Sequence, residues 1–327
     1  MHFRNLDLNL LVALDALLLE RNITLAGKRV HLSQPAMSGA LSRLREYFGD
    51  ELLSQVGRRM IPTPLGESLA GPVRRILLEI QTSVAAQPTF DAGTATRCFR
   101  LMMSDYVATV LMSAALPQIE LLAPRIQIEI LCNDVHSAFD ELDRADIDLL
   151  IMPEQYLRNA HPYDVLFEDS FTGIGWQHNP QIPPDGRLSM AQYLALGHVT
   201  ARFAAARATT VDEWFVKQLG LERRVEVVCM NFGSVISAVI GTRRVALMHK
   251  RLAQYYAQYL PIRLFDVPFE MPRLTEAVQW HRHFNSDPGT LWLRGVLKDV
   301  AHRMASARTP DKRLPNSVIP FPAASRP

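Results

Sequence analysis

The chain has 327 residues, 48% of them hydrophobic and 21% charged, the composition of a soluble globular protein with length for about two or three domains. The net charge is +2, with 10 Lys+Arg against 8 Asp+Glu in residues 1–86 and 25 of each thereafter; any nucleic-acid contact must therefore come from placed side chains and helix N-termini, not from a strongly basic surface. Cys98, Cys132 and Cys229 lie far apart without CxxC or Cys/His spacing, so neither a disulfide framework nor a zinc site is indicated; buried reduced thiols are the expectation, with a redox-sensing pair as the alternative, and neither an apolar run of about 18 residues nor a signal-peptide pattern occurs.

In chain order, Leu6 to Glu20 reads as a helix that Asp7 can cap, with Leu10, Leu11, Leu14, Leu17 and Leu18 on one buried face. Asn22 or Thr24 can start a second, short helix in which Ala26 and Val30 face inward before a turn near His31. A third helix follows, with Ser33 as N-cap and Pro35 in its first turn. Its apolar stripe is Met37, Ala40, Leu41, Leu44 and Phe48; its other side carries Gln34, Ser38, Ser42 and Arg45. A short helix, a turn and a second helix with a small, hydrogen-bonding outer face form the pattern of a helix-turn-helix that lays the second helix in the DNA major groove. Periodicity alone leaves an ordinary packed helix pair as the alternative. Val56 and Met60–Ile61 flank Gly57-Arg58-Arg59, which reads as a two-stranded wing with an arginine tip suited to phosphates or the minor groove; a solvated hairpin is the competing reading. Thr63 can cap the next helix. There Leu65, Leu69, Val73, Ile76, Ile80 and Val84 form a near-heptad seam, read as a linker helix that pairs with a second copy or else packs back on its own domain; Gly71-Pro72 suggests a bend.

Residues 85–97 lose the periodicity and read as a hinge. Beyond it strands and helices alternate: strands at Cys98–Ser104, around 125–131 and at Asp146–Met152 with helices between them give βαβαβ order and a parallel sheet. Further strands are expected within 164–177, 197–203, 224–230, 243–249, 263–268 and 276–282, with a closing helix after Asp287. The Pro-rich stretch from Arg308 is aperiodic and reads as disordered. The expected fold class is α/β: an all-α-rich N-terminal winged helix-turn-helix, then a two-lobed core like that of periplasmic binding proteins. The expected domains are 1–63 for DNA binding, 64–86 for the linker helix, 87–96 for the hinge, 97–304 for the effector domain and 305–327 for the tail. Lobe I takes about 97–168 and 271–304, and lobe II about 169–270.

Ligands in such folds sit in the crevice beyond the strand C-termini. Two helix starts face it, at Ser104, Asp105 and Tyr106 and at Phe232, Gly233 and Ser234, where free N–H groups suit a carboxylate or phenolate oxygen. Phe171, Phe203, Phe232 and Trp280 can supply apolar walls, with core packing as the alternative for each. His281 and His283 share a face but find no third ligand, so no metal is expected. No GxSxG, P-loop, HExxH or GxGxxG motif gives a case for an enzyme.

The stretch LDLNLLVALDALLLERNITLAGKRVHLSQPAMSGALSRLREYFGDELL, with PTPLGESLAGPVRRILLEI after it, resembles the winged helix-turn-helix of LysR-type transcriptional regulators. HFNSDPGTLWLR is similar to the NodD/NahR/LinR-like branch of that family, and the resemblance extends to about Met304. It implies a cytoplasmic, nucleoid-associated bacterial regulator that binds double-stranded promoter DNA and assembles as dimers joined into a tetramer. It also implies a response to a small aromatic effector without any other cofactor, RNA polymerase as a further partner, and no membrane contact. Carried over by position, it implies DNA contacts from Ser33, Gln34, Pro35, Ser38, Arg43 and Arg58; Asn22, Arg59 and Thr63 complete the candidate surface. The implied effector pocket comprises Ser104, Asp105, Tyr106, Asn133, Asp169, Phe171, Arg202, Phe203, Phe232, Gly233, Ser234 and Trp280. Asp169 stands where NahR-type proteins carry a pocket histidine, which makes a neutral or phenolic aromatic at least as good a fit as an anionic acid. A solute-binding receptor of the transport type on the same core is the alternative, disfavoured by the N-terminal helix-turn-helix.

Overall fold

The computed structural model describes residues 8–56, 59–83, 89–132, 135–203 and 208–306. Asp7, Gly57, Arg58, Val84, Asn133 and the tail from 307 lie outside the described residues, as does part of the hinge.

The N-terminal unit is built on α1 (Leu8–Glu20), α2 (Ile23–Arg29) and α3 (Gln34–Phe48). The leucines at 10, 11, 14, 17 and 18 are all buried and pack with Ala26, Met37, Leu41 and Leu44 into one cluster. Asn22 caps α2 by accepting from the Thr24 and Leu25 N–H groups at 2.9 and 3.0 Å. The turn into α3 needs a glycine: Leu32 N–H donates to Gly27 O at 2.8 Å, and a Cβ at Gly27 would lie 2.8 Å from Leu32 O. Ser33 caps α3 through the Ala36 N–H, and Gly49, with φ +62°, closes it in the left-handed region.

Two short antiparallel strands, β1 (Leu53–Val56) and β2 (Arg59–Pro62), pair from Leu53↔Pro62 to Val56↔Arg59 and form the wing. Asp50 ties its base: its Oδ1 accepts from the Leu52 N–H and the Thr63 hydroxyl, both at 2.6 Å. The same bonds hold the Asp50 carboxyl below its ordinary value.

Helix α4 (Pro64–Ser83) continues through Pro72 as one helix. Its seam divides. Val73 is buried, and Leu65, Leu69 and Leu77 pack with it against the α1–α3 cluster, so much of the stripe packs back on its own domain. Ile76 stays exposed.

The rest of the chain forms two lobes. In lobe I, β3 (Cys98–Met103) is followed by α5 (Asp105–Val107), a π-helical stretch at Ala108–Met112 and α6 (Ser113–Leu122). Then come β4 (Gln127–Cys132), α7 (Val135–Asp143), β5 (Leu149–Pro153) and β6 (Tyr163–Asp169). The chain passes through Ser170 into lobe II, which holds β7 (Phe171–Trp176), α8 (Met190–Ala195), β8 (Gly197–Phe203), β9 (Ala208–Thr209), α9 (Val211–Gln218), β10 (Arg224–Cys229), α10 (Phe232–Val239), β11 (Val245–His249), α11 (Lys250–Tyr256) and β12 (Ile262–Phe265). It returns to lobe I with β13 (Leu274–Gln279) and α12 (Pro288–Ser306). The sheet orders are β4-β3-β5-β13-β6 and β10-β8-β11-β7-β12.

In each sheet the first two pairings are parallel and the last two antiparallel, so both sheets are mixed and not purely parallel. Helices carry β3 to β4 and β4 to β5, as parallel neighbours require. The antiparallel pairings come from the crossings between lobes. Strand β6 leaves lobe I at Asp169, and β13 re-enters at Leu274, which pairs with Asp169, so the outgoing and returning strands run in opposite directions. Strands β7 and β12 do the same in lobe II. Because β6 ends at Asp169 and β7 begins at Phe171, a single residue makes one of the two crossings.

Candidate functional site

Two surfaces carry the candidate residues. On α3, Ser33, Gln34, Pro35, Ser38 and Arg43 are exposed, while Met37, Leu41 and Leu44 are buried on the opposite side. The helix start thus presents small polar groups with no acidic residue in its first turn. A helix placed this way can approach phosphates and base edges closely. Arg45 leaves the outer face: its guanidinium donates to Glu51 O and Leu53 O at 2.9 and 2.8 Å and pairs with the Glu51 carboxylate. Thr63 also turns inward, because its hydroxyl donates to Asp50 and caps α4 through the Gly66 N–H. The side-chain oxygen of Asn22 is spent on α2. Arg59 begins β2 opposite Val56, and Arg58 lies outside the described residues.

The second surface is the cleft between the lobes. Ser104 caps α5 through the Val107 N–H, and Asn231 caps α10 through the Ser234 N–H. Asp105 reaches across and accepts from the Gly233 N–H at 2.9 Å. The protein's own carboxylate therefore holds the α10 N-terminus, where an anionic ligand would otherwise bind. Ser234 is exposed at the same helix start.

Tyr106 is buried and donates to Asp169 Oδ2 at 2.8 Å. Its ring lies flat on His249, with centroids 3.9 Å apart and planes within 8°. Phe232 stands edge-on to both rings, Phe171 lies 5.1 Å from His249, and Phe203 lies 5.2 Å from Phe232. These aromatics meet as a box at the crossing between lobes.

Its electrostatics follow from burial. Desolvation and the Asp169 charge raise the Tyr106 phenol well above its usual value, so it stays protonated and donates. Burial raises the Asp169 carboxyl, against bonds from Tyr106 and from the Ser170 and Arg251 N–H groups. Glu276, on β13 beside Asp169, is pushed up to about 8 by burial and by that neighbour, and its Oε2 has no partner among the described residues. Burial pushes His249 down to about 3. At neutral pH the box therefore holds a protonated phenol and a neutral imidazole, with the Glu276 carboxylic acid beside Asp169.

His249 and Glu276 escaped the sequence reading. Each is a titratable residue within an otherwise apolar strand pattern, VALMH and LTEAVQ, and that was the available signal. Two expected pocket residues are engaged within their own lobes. Trp280 follows the far end of β13, whose start pairs with Asp169 at the crossing; its indole N–H donates to Asn285 at 3.1 Å and Arg294 covers its ring, within lobe I. Arg202 is held by both oxygens of Glu213 at 3.1 and 2.6 Å, so its charge is compensated inside lobe II. Asn133 lies outside the described residues. Among the described residues no group of three or more His, Cys, Asp or Glu could hold a metal ion, and no helix is long and apolar enough to cross a membrane.

Comparison with known proteins bears on both surfaces. Residues 8–67 match the family described as bacterial regulatory helix-turn-helix protein, lysR family, and residues 92–302 match the LysR substrate binding domain. The chain is similar to nodulation protein D 1 of Bradyrhizobium sp. (strain NC92), 41% identical over 308 residues covering 94% of this chain and 97% of the relative. It is 42% identical to nodulation protein D 2 of Rhizobium tropici over 311 residues, 95% and 98% of the two chains. A full-length OxyR variant from Pseudomonas aeruginosa superposes with a TM-score of 0.68 at 18% identity, covering 95% of this chain and 99% of the other.

Proposed function

The chain belongs to the LysR family of transcriptional regulators, close to the nodulation protein D branch and not to enzymes, and on that premise we propose that a neutral or phenolic aromatic compound, taken up between the lobes, controls its action at promoter DNA. The observation that carries this reading is the Tyr106–His249–Phe232 box with Asp105 already seated on the Gly233 N–H. Stacked and edge-on rings favour a flat aromatic guest. A guest carboxylate would face Asp105 and Asp169, so a hydroxyl that donates to Asp169 or accepts from the Gly233 N–H suits the chemistry better. Ser104, Tyr106, Asp169, Phe171, Phe203, Phe232, Gly233 and Ser234 are the pocket residues in this reading. In this reading the inter-lobe site takes the guest without any other cofactor.

Entry of the guest displaces the Asp105–Gly233 bond, and an effector that favours one lobe arrangement over another shifts the population accordingly. On α3, Ser33, Gln34, Pro35 and Ser38 read the major groove, with Arg43 and the wing arginines Arg58 and Arg59 on phosphates. Self-association to dimers and a tetramer draws on exposed Ile76 of α4, with Leu121 and Ile130 of lobe I and Trp214 and Val228 of lobe II as further apolar surface. RNA polymerase is the downstream partner, and the bacterial cytoplasm is where such a regulator meets promoter DNA.

Thermal unfolding of the full chain against a panel of phenols, flavonoids and matched aromatic acids tests the effector class. A neutral phenolic at about 100 times its Kd stabilises by about 2.7 kcal/mol, and the gain falls in Phe232→Ala. Stabilisation by aromatic acids alone refutes the class. Absence of a salt-sensitive mobility shift on the upstream DNA refutes the promoter reading.

A further inference from the structure

We propose that the cavity between α1, α4 and lobe I is a second ligand site, which takes the phosphate group of a small phosphorylated metabolite. The cavity has a volume of about 860 Å³ and is walled by both domains. Its lining holds five arginines and three histidines against two aspartates.

The two acids are already engaged. Asp15 pairs with Arg74. Asp143 accepts from His161 Nε2 at 2.6 Å, and the Arg282 N–H donates to His161 Nδ1, which fixes the proton on Nε2. Arg74 and Arg144 are further compensated by Asp146, at 2.8 and 2.9 Å. Arg75 on α4 and Arg282, on the 3-10 turn packed against α4, have no ion-pair partner among the described residues. Both are exposed along their own elements and line the cavity.

His281 supplies an independent observation. It is 4% exposed and lines the cavity, with its ring 5.0 Å from His283 and 4.6 Å from His161. The His283 N–H donates to its Nδ1, so the His281 proton is on Nε2, which finds no acceptor among the described residues. Burial and its cationic neighbours push this ring down to about 4, so it is a neutral donor near pH 7.

Two uncompensated guanidiniums and the Nε2–H of His281, whose ring lines the cavity, suit a phosphate group, whose oxygens accept bidentate bonds from arginine. A molecule of liquid water takes about 30 Å³, so the space exceeds what a bare phosphate fills and leaves room for an organic part. Because α4 and lobe I share the walls, an occupant joins the DNA-binding unit to the effector domain. This site is separate from the inter-lobe box and does not depend on the effector proposed for it.

The test is titration calorimetry and thermal unfolding of the full chain at constant ionic strength set with chloride. Inorganic phosphate and a hexose phosphate are the probes. Saturable binding of both is expected, tighter for the hexose phosphate, and weakened at least tenfold in Arg75→Ala and in Arg282→Ala. His281→Phe keeps the ring and loses the donor, and should weaken binding as well. Arg43→Ala, on the DNA-reading helix, should leave it within twofold. No saturable binding, or equal binding in Arg75→Ala and Arg282→Ala, overturns the site. Loss in Arg43→Ala alone places the anion on the DNA surface and also overturns it. Binding of phosphate but not of the hexose phosphate overturns the metabolite.

Discussion

The substitution Glu276→Gln removes a buried acid whose cost depends on pH. Its carboxyl is displaced from 4.5 to about 8 by burial and by Asp169. The folded chain therefore holds this proton more tightly than the unfolded chain does. The stability it gives is complete below the unfolded value of 4.5 and is lost as pH rises through 8. The raised carboxyl of Asp169 slopes the same way, and Tyr106 stays protonated throughout. The buried His249 slopes oppositely: pushed from 6.5 to about 3, it costs stability only as pH falls below 6.5. Between pH 6.5 and 8 the Glu276 contribution thus stands clear of His249. Across that interval the wild-type chain should lose about 1.6 kcal/mol through this one group. For a unit of effector-domain size that is roughly 5 °C in melting temperature. The amide of the Glu276→Gln variant keeps the shape of the protonated acid without its titration. Melting curves of both proteins at half-unit pH steps are the assay. The wild type should fall toward pH 8 relative to the variant, and the gap should narrow steadily as pH falls toward 4.5. Parallel pH profiles would refute the buried acid.

Gln34→Ala and Ser38→Ala should each weaken specific DNA binding about tenfold in a mobility shift, the cost of one lost base contact. Their far-UV spectra and melting temperatures should match the wild type, since both side chains are exposed opposite the apolar stripe; a folding loss instead means that the faces are reversed. Asp105→Asn should loosen the lobes by weakening the charge-assisted bond to the Gly233 N–H. Faster hydrogen exchange at the α10 start checks this, and unchanged exchange rejects it. Asp146→Asn should uncouple the N-terminal unit from lobe I, because Arg29, Arg74 and Arg144 all converge on that carboxylate at 2.7 to 2.9 Å. The expected cost is about 2 kcal/mol for a partly buried cluster, seen as two unfolding transitions in place of one; a single unshifted transition counts against it.

The N-terminal unit was legible because its information is local. Ser33, Pro35 and the stripe at 37, 41 and 44 state a capped amphipathic helix without help from the rest of the chain. The succession of strands was legible for the same reason, since each strand is a short apolar run with breakers around it. What failed were facts of tertiary placement. Trp280 looks like a pocket wall because an aromatic ends a strand, but which end of β13 meets the crossing is set by pairing with β6. Arg202 and Thr63 looked available because partners far along the chain, or across a turn, do not announce themselves in a helical or strand period. The stripe at Leu65, Leu69 and Val73 is equally good for a partner copy or for α1, and only packing decides. His249 and Glu276 matter through burial, which no spacing reports.

The bonds from Arg45 to Glu51 O and Leu53 O have a mechanical consequence for operator choice. They bolt the last turn of α3 to the base of the wing, much as a fixed calliper holds its two jaws. Where α3 and the wing both meet a duplex, as proposed above, the separation between the two points is then a property of the protein and not of the sequence it meets. Operators whose groove width departs from that separation must themselves deform, and stiff and pliable base steps will be told apart at positions that no side chain touches. Tolerance for different half-site distances has to reside farther along the chain, beyond the wing.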